Sequence, residues 1–316
     1  MRILVTGGAG FIGSHLVDTL MSRGDEVIVI DNLTRGEIEN VSKWMKNPRF
    51  KFVEGDVTDI DLMLSIVRDC DTIFHLAANP EVRVGDPSDH FRNNLYATYI
   101  VLEAMRVNNV KKIVFTSSST VYGEAKILPT PEDYSPLVPI SIYGACKLGS
   151  ESLIIGYSKT YGFNSVILRL ANIVGSRSRH GVIVDFIKKL LKDSSRLEVL
   201  GDGEQMKSYL HVTDCIEAIV RSSENISEDI QVYNVGSEDA INVKNIAKIV
   251  IEELNLDDVK IEYKDEFGGR GWVGDVRKML LDISRIKSVG WRPRYNSSEA
   301  VKLAVRELRE EIRNVS

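Results

Sequence analysis

Tyr143 and Lys147 lie four residues apart where a helix is expected to begin, so both side chains fall on one face. An ammonium beside a phenol favours the phenolate. A tyrosine that ordinarily titrates near ~10 can then serve as a base near neutral pH. Taken alone the pair is weak, since Tyr-x-x-x-Lys often arises by chance and is usually a solvated helix face. It gains weight from Ser117-Ser118-Ser119, which closes a strand-like segment upstream. A serine hydroxyl can orient a substrate oxygen, a tyrosine can exchange its proton, and a lysine can set the tyrosine pKa. That set suits the oxidation or reduction of an alcohol carbon.

Such chemistry needs a hydride acceptor, and a second group of residues offers one a seat. Thr6-Gly7-Gly8-Ala9-Gly10-Phe11-Ile12-Gly13 closes the first strand-like run and opens the first helix-like one. Gly7 permits a tight turn, Gly10 lets backbone approach a pyrophosphate, and Gly13 lets the helix pack close to a sheet. The helix N-terminus then presents unpaired N–H groups to the anion. A structural turn could also explain the glycines. Asp31 is the independent signal: it ends the second strand-like run, 18 residues after Gly13, close to the ~20 expected of a ribose-binding acid. Its carboxylate would accept from the adenosine ribose and repel a 2′-phosphate, so NAD is expected rather than NADP. Arg35 is nearby and reads as a solvated loop arginine. Asp56 is placed to meet the adenine edge, and reads nearly as well as a turn aspartate.

The elements that must position these groups alternate. Strands are expected at 2–6, 26–31, 50–55, 71–78, 111–118 and 165–171. Helices are expected at 11–23, 59–68, 90–108 and 141–161. Alternation of this kind implies α/β architecture, a Rossmann-type doubly wound parallel sheet with right-handed crossovers. Residues 124–141 carry half of the eight prolines and read as an extended loop. Beyond 172 the pattern loosens. Strands fit 198–201, 231–236 and 259–263, and a helix fits 243–254. A final helix gathers Val301, Ala304, Val305, Leu308 and Ile312 on one face. Residues 1–170 are therefore expected to form the NAD-binding domain, with some later segments returning to it. Residues 171–316 are expected to be mainly a smaller mixed α/β substrate-binding domain.

Composition narrows the function classes. The 316 residues carry 40 basic and 45 acidic side chains, a formal charge of −5, which disfavours nucleic acid or an anionic membrane as partner. No stretch has the apolar length to span a bilayer, and MRILVTGG runs straight into a strand without a signal-like region. Cys70, Cys146 and Cys215 are far apart and show no metal-ligand spacing. Reduced thiols, no metal site and a cytoplasmic location are expected.

The motifs together carry a resemblance. TGGAGFIGSH (6–15), DNL (31–33), GDV (55–57), HLAA (75–78), TSSSTVYG (116–123), YGACK (143–147) and GDGEQMKSYLHVTD (201–214) resemble the NAD-dependent epimerase/dehydratase family, the extended short-chain dehydrogenases, over nearly the whole chain. The resemblance implies Ser118, Tyr143 and Lys147 as the catalytic set. It implies NAD contacts at Gly7, Gly10, Phe11, Ile12, Gly13, Asp31, Asn32, Asp56, Val57, Leu76, Ala77, Ala78, Asn94, Ser117, Tyr143 and Lys147. For a nucleotide-sugar substrate it implies Ser118, Thr120, Tyr143, Asn172, Lys207, Arg270 and Asp275, with Arg83 bordering the sugar and facing a carboxylate, a phosphate or only a salt-bridge partner. Lys207 stands where the family usually has arginine, and neutralises phosphate as a point charge without the bidentate fork. Arg270-Gly-Trp-Val-Gly-Asp275 replaces the usual Arg-Pro-Gly-Asp.

The 4,6-dehydratase branch carries Asp-Glu just before Val-Tyr-Gly, whereas this chain has Ser119-Thr120. Dehydration is therefore disfavoured, and the resemblance implies the branch that inverts C4 of UDP-glucose and UDP-galactose through a transient 4-keto sugar, with the hydride held on bound NAD. UDP-glucuronate or UDP-N-acetylhexosamine epimerases, and a nucleotide-sugar dehydrogenase or reductase, are the alternatives. A non-enzymatic NAD-binding sensor is disfavoured because Ser118, Tyr143 and Lys147 are all kept. Family members pair through the helices expected at 90–108 and 141–161, which implies a homodimer.

Overall fold

The computed structural model describes every residue except 84, 225, 227–229 and 316, and side chains through residue 311. The expected side chain of Ile312 lies outside the described residues.

Strands β1 (Arg2–Thr6), β2 (Glu26–Asp31), β3 (Phe50–Glu54), β4 (Thr72–His75), β5 (Lys112–Ser118) and β6 (Asn164–Leu170) follow the expected runs within a few residues. The intervening helices are α1 (Phe11–Ser22), α2 (Ile60–Val67), α3 (Pro87–His90), α4 (Ala97–Val107) and α5 (Ile142–Tyr161). Then come β7 (Asn172–Val174), α6 (Val182–Lys192), β8 (Arg196–Leu200), β9 (Met206–Lys207), β10 (Tyr209–His211), α7 (Val212–Glu224) and β11 (Ile230–Val235). The chain ends through β12 (Ile241–Asn242), α8 (Val243–Glu253), β13 (Lys260–Lys264), β14 (Lys278–Met279), α9 (Ser284–Ser288) and α10 (Ser297–Val315).

Seven strands form one parallel sheet in the order β11-β6-β5-β4-β1-β2-β3. Its strands are near-continuous Val/Ile/Leu runs because both faces are covered. One face packs under α1 and α7, around Leu16, Val17, Leu20, Ile216 and Ile219. The other packs under α2, α4 and α5, around Met63, Val101, Leu102, Met105 and Ile154. The strand order reverses between β1 and β4, where a doubly wound sheet opens a crevice at its carboxyl edge. A third core of Ile183, Phe186, Ile187, Leu197, Ile246, Val250, Val301 and Val305 holds α6, α8 and α10 around the parallel pair β8–β13. The strand β11 lies beyond residue 172 in sequence yet pairs with β6 in the main sheet.

Two expected elements take a different form. The helix expected over 90–108 is an α-turn, a π-helical segment at Phe91–Tyr96 and then α4. π segments interrupt helices where a side chain is re-aimed, often near sites, and here Asn94 sits inside the segment, almost fully buried. The strand expected over 71–78 stops at His75, because the Leu76 and Ala77 N–H groups turn to the Thr6 hydroxyl at 3.2 and 3.1 Å.

Candidate active site

The carboxyl ends of β1, β4 and β5 bring three groups of residues to one edge of the sheet. At the end of β1, Gly10 N–H donates to Gly7 O at 3.2 Å and Ser14 N–H to Gly10 O at 2.9 Å, which opens α1 directly over the turn. A Cβ on Gly13 would lie 2.1 Å from Gly7 O, so only glycine lets the helix begin here. The side chains of Phe11 and Ile12 pack on the core beneath. Asp31 accepts from Ala9 N–H at 3.0 Å and from Leu33 N–H at 2.9 Å. Burial raises its pKa, while these hydrogen bonds oppose the rise. Gly10 N–H adds a third backbone contact, and the carboxylate keeps a lone pair for a ribose hydroxyl. The unpaired helix N-terminus, the close glycine approach and this acid fit a dinucleotide of the NAD type.

The neighbouring residues have structural partners of their own. Asn32 donates to Asp56 at 3.1 Å, and Asp56 also accepts from Thr58 N–H and Oγ1 at 2.8 and 2.7 Å. Val57 packs its side chain into the core under α2. Leu76, Ala77 and Ala78 are half-buried beyond β4. Asn94 accepts from Asn79 N–H at 2.7 Å and donates to Asn79 O at 3.2 Å. Its amide thus pins the loop after β4. Beneath the loop, His75 meets Thr6 Oγ1 at 2.8 Å and Thr98 Oγ1 at 3.1 Å. Burial, reinforced by the Lys147 charge, pushes the His75 pKa down to about 3, so its ring stays neutral. Sequence reasoning quoted HLAA but missed this anchor.

The Ser-Tyr-Lys set comes together at β5 and α5. Ser141 caps α5 by accepting from Gly144 N–H at 3.1 Å. A Cβ on Gly144 would lie 2.8 Å from Thr120 O, so glycine lets the first turn of α5 settle on the turn after Ser118. That contact carries Tyr143 to Ser118. Thr120 donates to Ser118 Oγ twice, from N–H at 3.2 Å and Oγ1 at 3.0 Å. With its lone pairs engaged, the Ser118 hydroxyl has its proton free for Tyr143. Burial pushes the Tyr143 pKa up to about 12, and the Ser118 hydrogen bond works against that. His90, absent from the sequence reading, stands edge-on to the Tyr143 ring with centroids 6.2 Å apart.

Lys147 is buried, and its ammonium donates to Thr116 O at 2.8 Å over the Phe115 ring. It lies 5.9 Å from the Tyr143 ring centroid, on the same side of the helix as the spacing implied. Burial lowers its pKa to about 8, against the pull of Glu151 one turn on. Ser117 points elsewhere: its hydroxyl donates to Glu151 Oε1 at 2.5 Å. Adjacent strand residues face opposite sides, so the Ser117 side chain turns to Glu151 and not to the side that Ser118 faces. Glu151 in turn holds Arg169 through two guanidinium nitrogens, and Arg169 donates to Tyr122 OH at 2.9 Å. No spacing rule pointed to this pair, because it joins α5 to β6.

The last group comes from the second half of the chain. Lys207 pairs with Asp275, and Arg270 with Glu124 and the Asp275 carbonyl. Gly271 N–H donates to the other Asp275 oxygen at 3.0 Å. The altered spacing of 270–275 therefore keeps Arg270 and Asp275 together. Asn172 donates to Ser208 O at 3.2 Å, next to Lys207. Arg83 lies 5.4 Å from the Trp272 ring centroid. Among the described residues, no helix is long and apolar enough to cross a membrane, and no three His, Cys, Asp or Glu cluster to hold a metal.

A doubly wound sheet with a glycine-rich dinucleotide turn and a Ser-Tyr-Lys set defines a short-chain dehydrogenase-like enzyme. The profile of the NAD dependent epimerase/dehydratase family matches residues 3–236, and the chain belongs to that family. A crystal structure described as UDP-galactose 4-epimerase is 43% identical, with a TM-score of 0.87 over 99% of this chain and 100% of that one. UDP-glucose 4-epimerase of Mycolicibacterium smegmatis is 33% identical over 96% of this chain and 97% of its own length. UDP-glucuronic acid decarboxylase 3 of Arabidopsis thaliana is 34% identical over 98% of this chain and 89% of its own length. The chain is thus an NAD-dependent enzyme.

Proposed function

We propose that the chain is a UDP-hexose 4-epimerase that interconverts UDP-glucose and UDP-galactose. The observation that carries this reading is the turn after β5. It offers Tyr143 the hydroxyl of Ser118, held in turn by Thr120, and its residues 119 and 120 are not the carboxylic acid pair that could expel water. Tyr143 takes the proton from the sugar 4-hydroxyl and later returns it, while Ser118 donates to the same oxygen. Bound NAD supplies the hydride acceptor and, with its positive nicotinamide, a charge that favours the phenolate. Lys147 would hold the nicotinamide ribose. Lys207, Arg270 and Asn172 take the diphosphate, and Asp275 the uridine ribose. Anchoring at the nucleotide end leaves the sugar free to turn and present its other face.

Arg83 favours a second reading. Among the described residues its guanidinium has no carboxylate partner, so a sugar carboxylate could dock there. Anaerobic incubation with UDP-galactose and, separately, UDP-glucuronate, followed by separation of products, decides between them. UDP-glucose from UDP-galactose supports the main reading, and epimer from the uronate alone supports the second. Net reduction of NAD with no epimer contradicts both.

A homodimer through α4 and α5 belongs to the same proposal. Tyr96, Tyr99, Val107, Ile155 and Tyr161 leave a third or more of their surface exposed on those helices. The shallow cleft between Leu64, Tyr99 and Val107 adds to that apolar face.

A further inference from the structure

Trp272 is the residue that the altered Arg270–Asp275 segment adds, and its indole is peculiar among the three tryptophans. Trp44 donates from Nε1 to Asp18 at 2.7 Å, and Trp291 to the Asp214 carbonyl at 3.0 Å. The Trp272 Nε1 atom is shielded from solvent and has no acceptor among the described residues. Buried N–H groups are almost always paired, so an orphan needs a reason. The surroundings supply one. Lys207 Nζ and Arg83 Cζ each lie 5.4 Å from the ring centroid. Asp275, whose N–H donates to Trp272 O at 3.1 Å, is the acid that pairs with Lys207 among the described residues. A donor without an acceptor, on a ring that two cations from different parts of the chain approach, is complementary to an anionic oxygen.

We infer that Trp272 is a substrate-binding residue whose indole N–H donates to a diphosphate oxygen of the nucleotide sugar. The inference rests on the nucleotide-sugar reading and adds a specific contact to it. The ring also holds Arg83 and Lys207 by their attraction to its π face, so ligand binding and the placement of both cations go together. A lone neutral donor can be removed without touching either charge, which makes the contact separable from the rest of the site.

Trp272→Phe keeps an aromatic ring for the two cations and removes only the donor. Calorimetric titration of UDP and of UDP-galactose into the NAD-loaded parent and variant reads the contact. The expected result is a loss of about tenfold in affinity for both ligands alike, the usual size for a hydrogen bond to a charged group, with NAD affinity unchanged. Equal affinities in parent and variant overturn the inference. A loss confined to UDP-galactose also overturns it, because the contact then lies on the sugar. A parent that binds neither ligand sinks the nucleotide-sugar reading itself, which is a different failure. Should the variant fold poorly, tryptophan emission of the parent is the second measurement. Trp44 and Trp291 are partnered elsewhere, so saturating UDP must alter the Trp272 emission, and unchanged emission contradicts the inference.

Discussion

Lys147 carries opposite demands in one side chain. The ammonium is buried against Phe115 and Thr116 O, and the proposed function asks it to serve the nicotinamide ribose and the tyrosine. Burial lowers its pKa from 10.5 to about 8, so below pH 8 the fold holds a charge that the unfolded chain carries at less cost. Lys147→Met is therefore expected to abolish turnover while stabilising the cofactor-free protein by on the order of 1–3 kcal/mol. The sign follows from the depressed folded pKa. The gain is full below about pH 8 and fades as pH rises toward 10.5, where the parent lysine is neutral in both states. Urea unfolding at several pH values checks this, and a gain that grows with pH contradicts it. Ser118, Tyr143 and Lys147 were legible as residues because helical spacing and one serine cluster bring them together. The role of Ser117 was not, since only strand alternation against Glu151 reveals which serine faces the site. Arg169 and His90 were illegible for a related reason: their partners are distant in sequence.

At the level of elements, the site depends on close approaches that no side chain can tolerate. Where α1 crosses β1, a methyl group on Gly13 would overlap Gly7 O. Gly13→Ala is expected to displace the helix start and weaken NAD binding at least tenfold, with a smaller loss in thermal stability. Titration of NAD with intrinsic fluorescence as signal measures it, and parent-like affinity contradicts the argument. Helices and strands of the first half were readable because parallel strands buried on both faces are continuous apolar runs. The π segment at Phe91–Tyr96 was hidden, because its apolar pattern fits an uninterrupted helix. Helices α6 and α7 also escaped the sequence reading. The pairs β9–β12, β9–β14 and β7–β10 are only two or three residues long, too short to show any period, so the region around Lys207 gave little to read.

In the whole molecule, the proposed site draws its cofactor groups from the first half of the chain and its diphosphate groups from the second. The exposed aromatic face on α4 and α5 makes an oligomer prediction. Sedimentation is expected to show a dimer, and Tyr99→Glu together with Ile155→Glu to give a monomer that retains its fold. A parent that sediments as a monomer at micromolar concentration contradicts the proposed pairing. The central claim, that Tyr143 and Ser118 serve a reversible oxidation at C4 inside one closed site, is tested most directly with UDP-galactose carrying deuterium at C4. The account predicts UDP-glucose with the deuterium still at C4, no net reduction of NAD, and no product from Tyr143→Phe. Deuterium lost to solvent, or a product altered at another carbon, would contradict it.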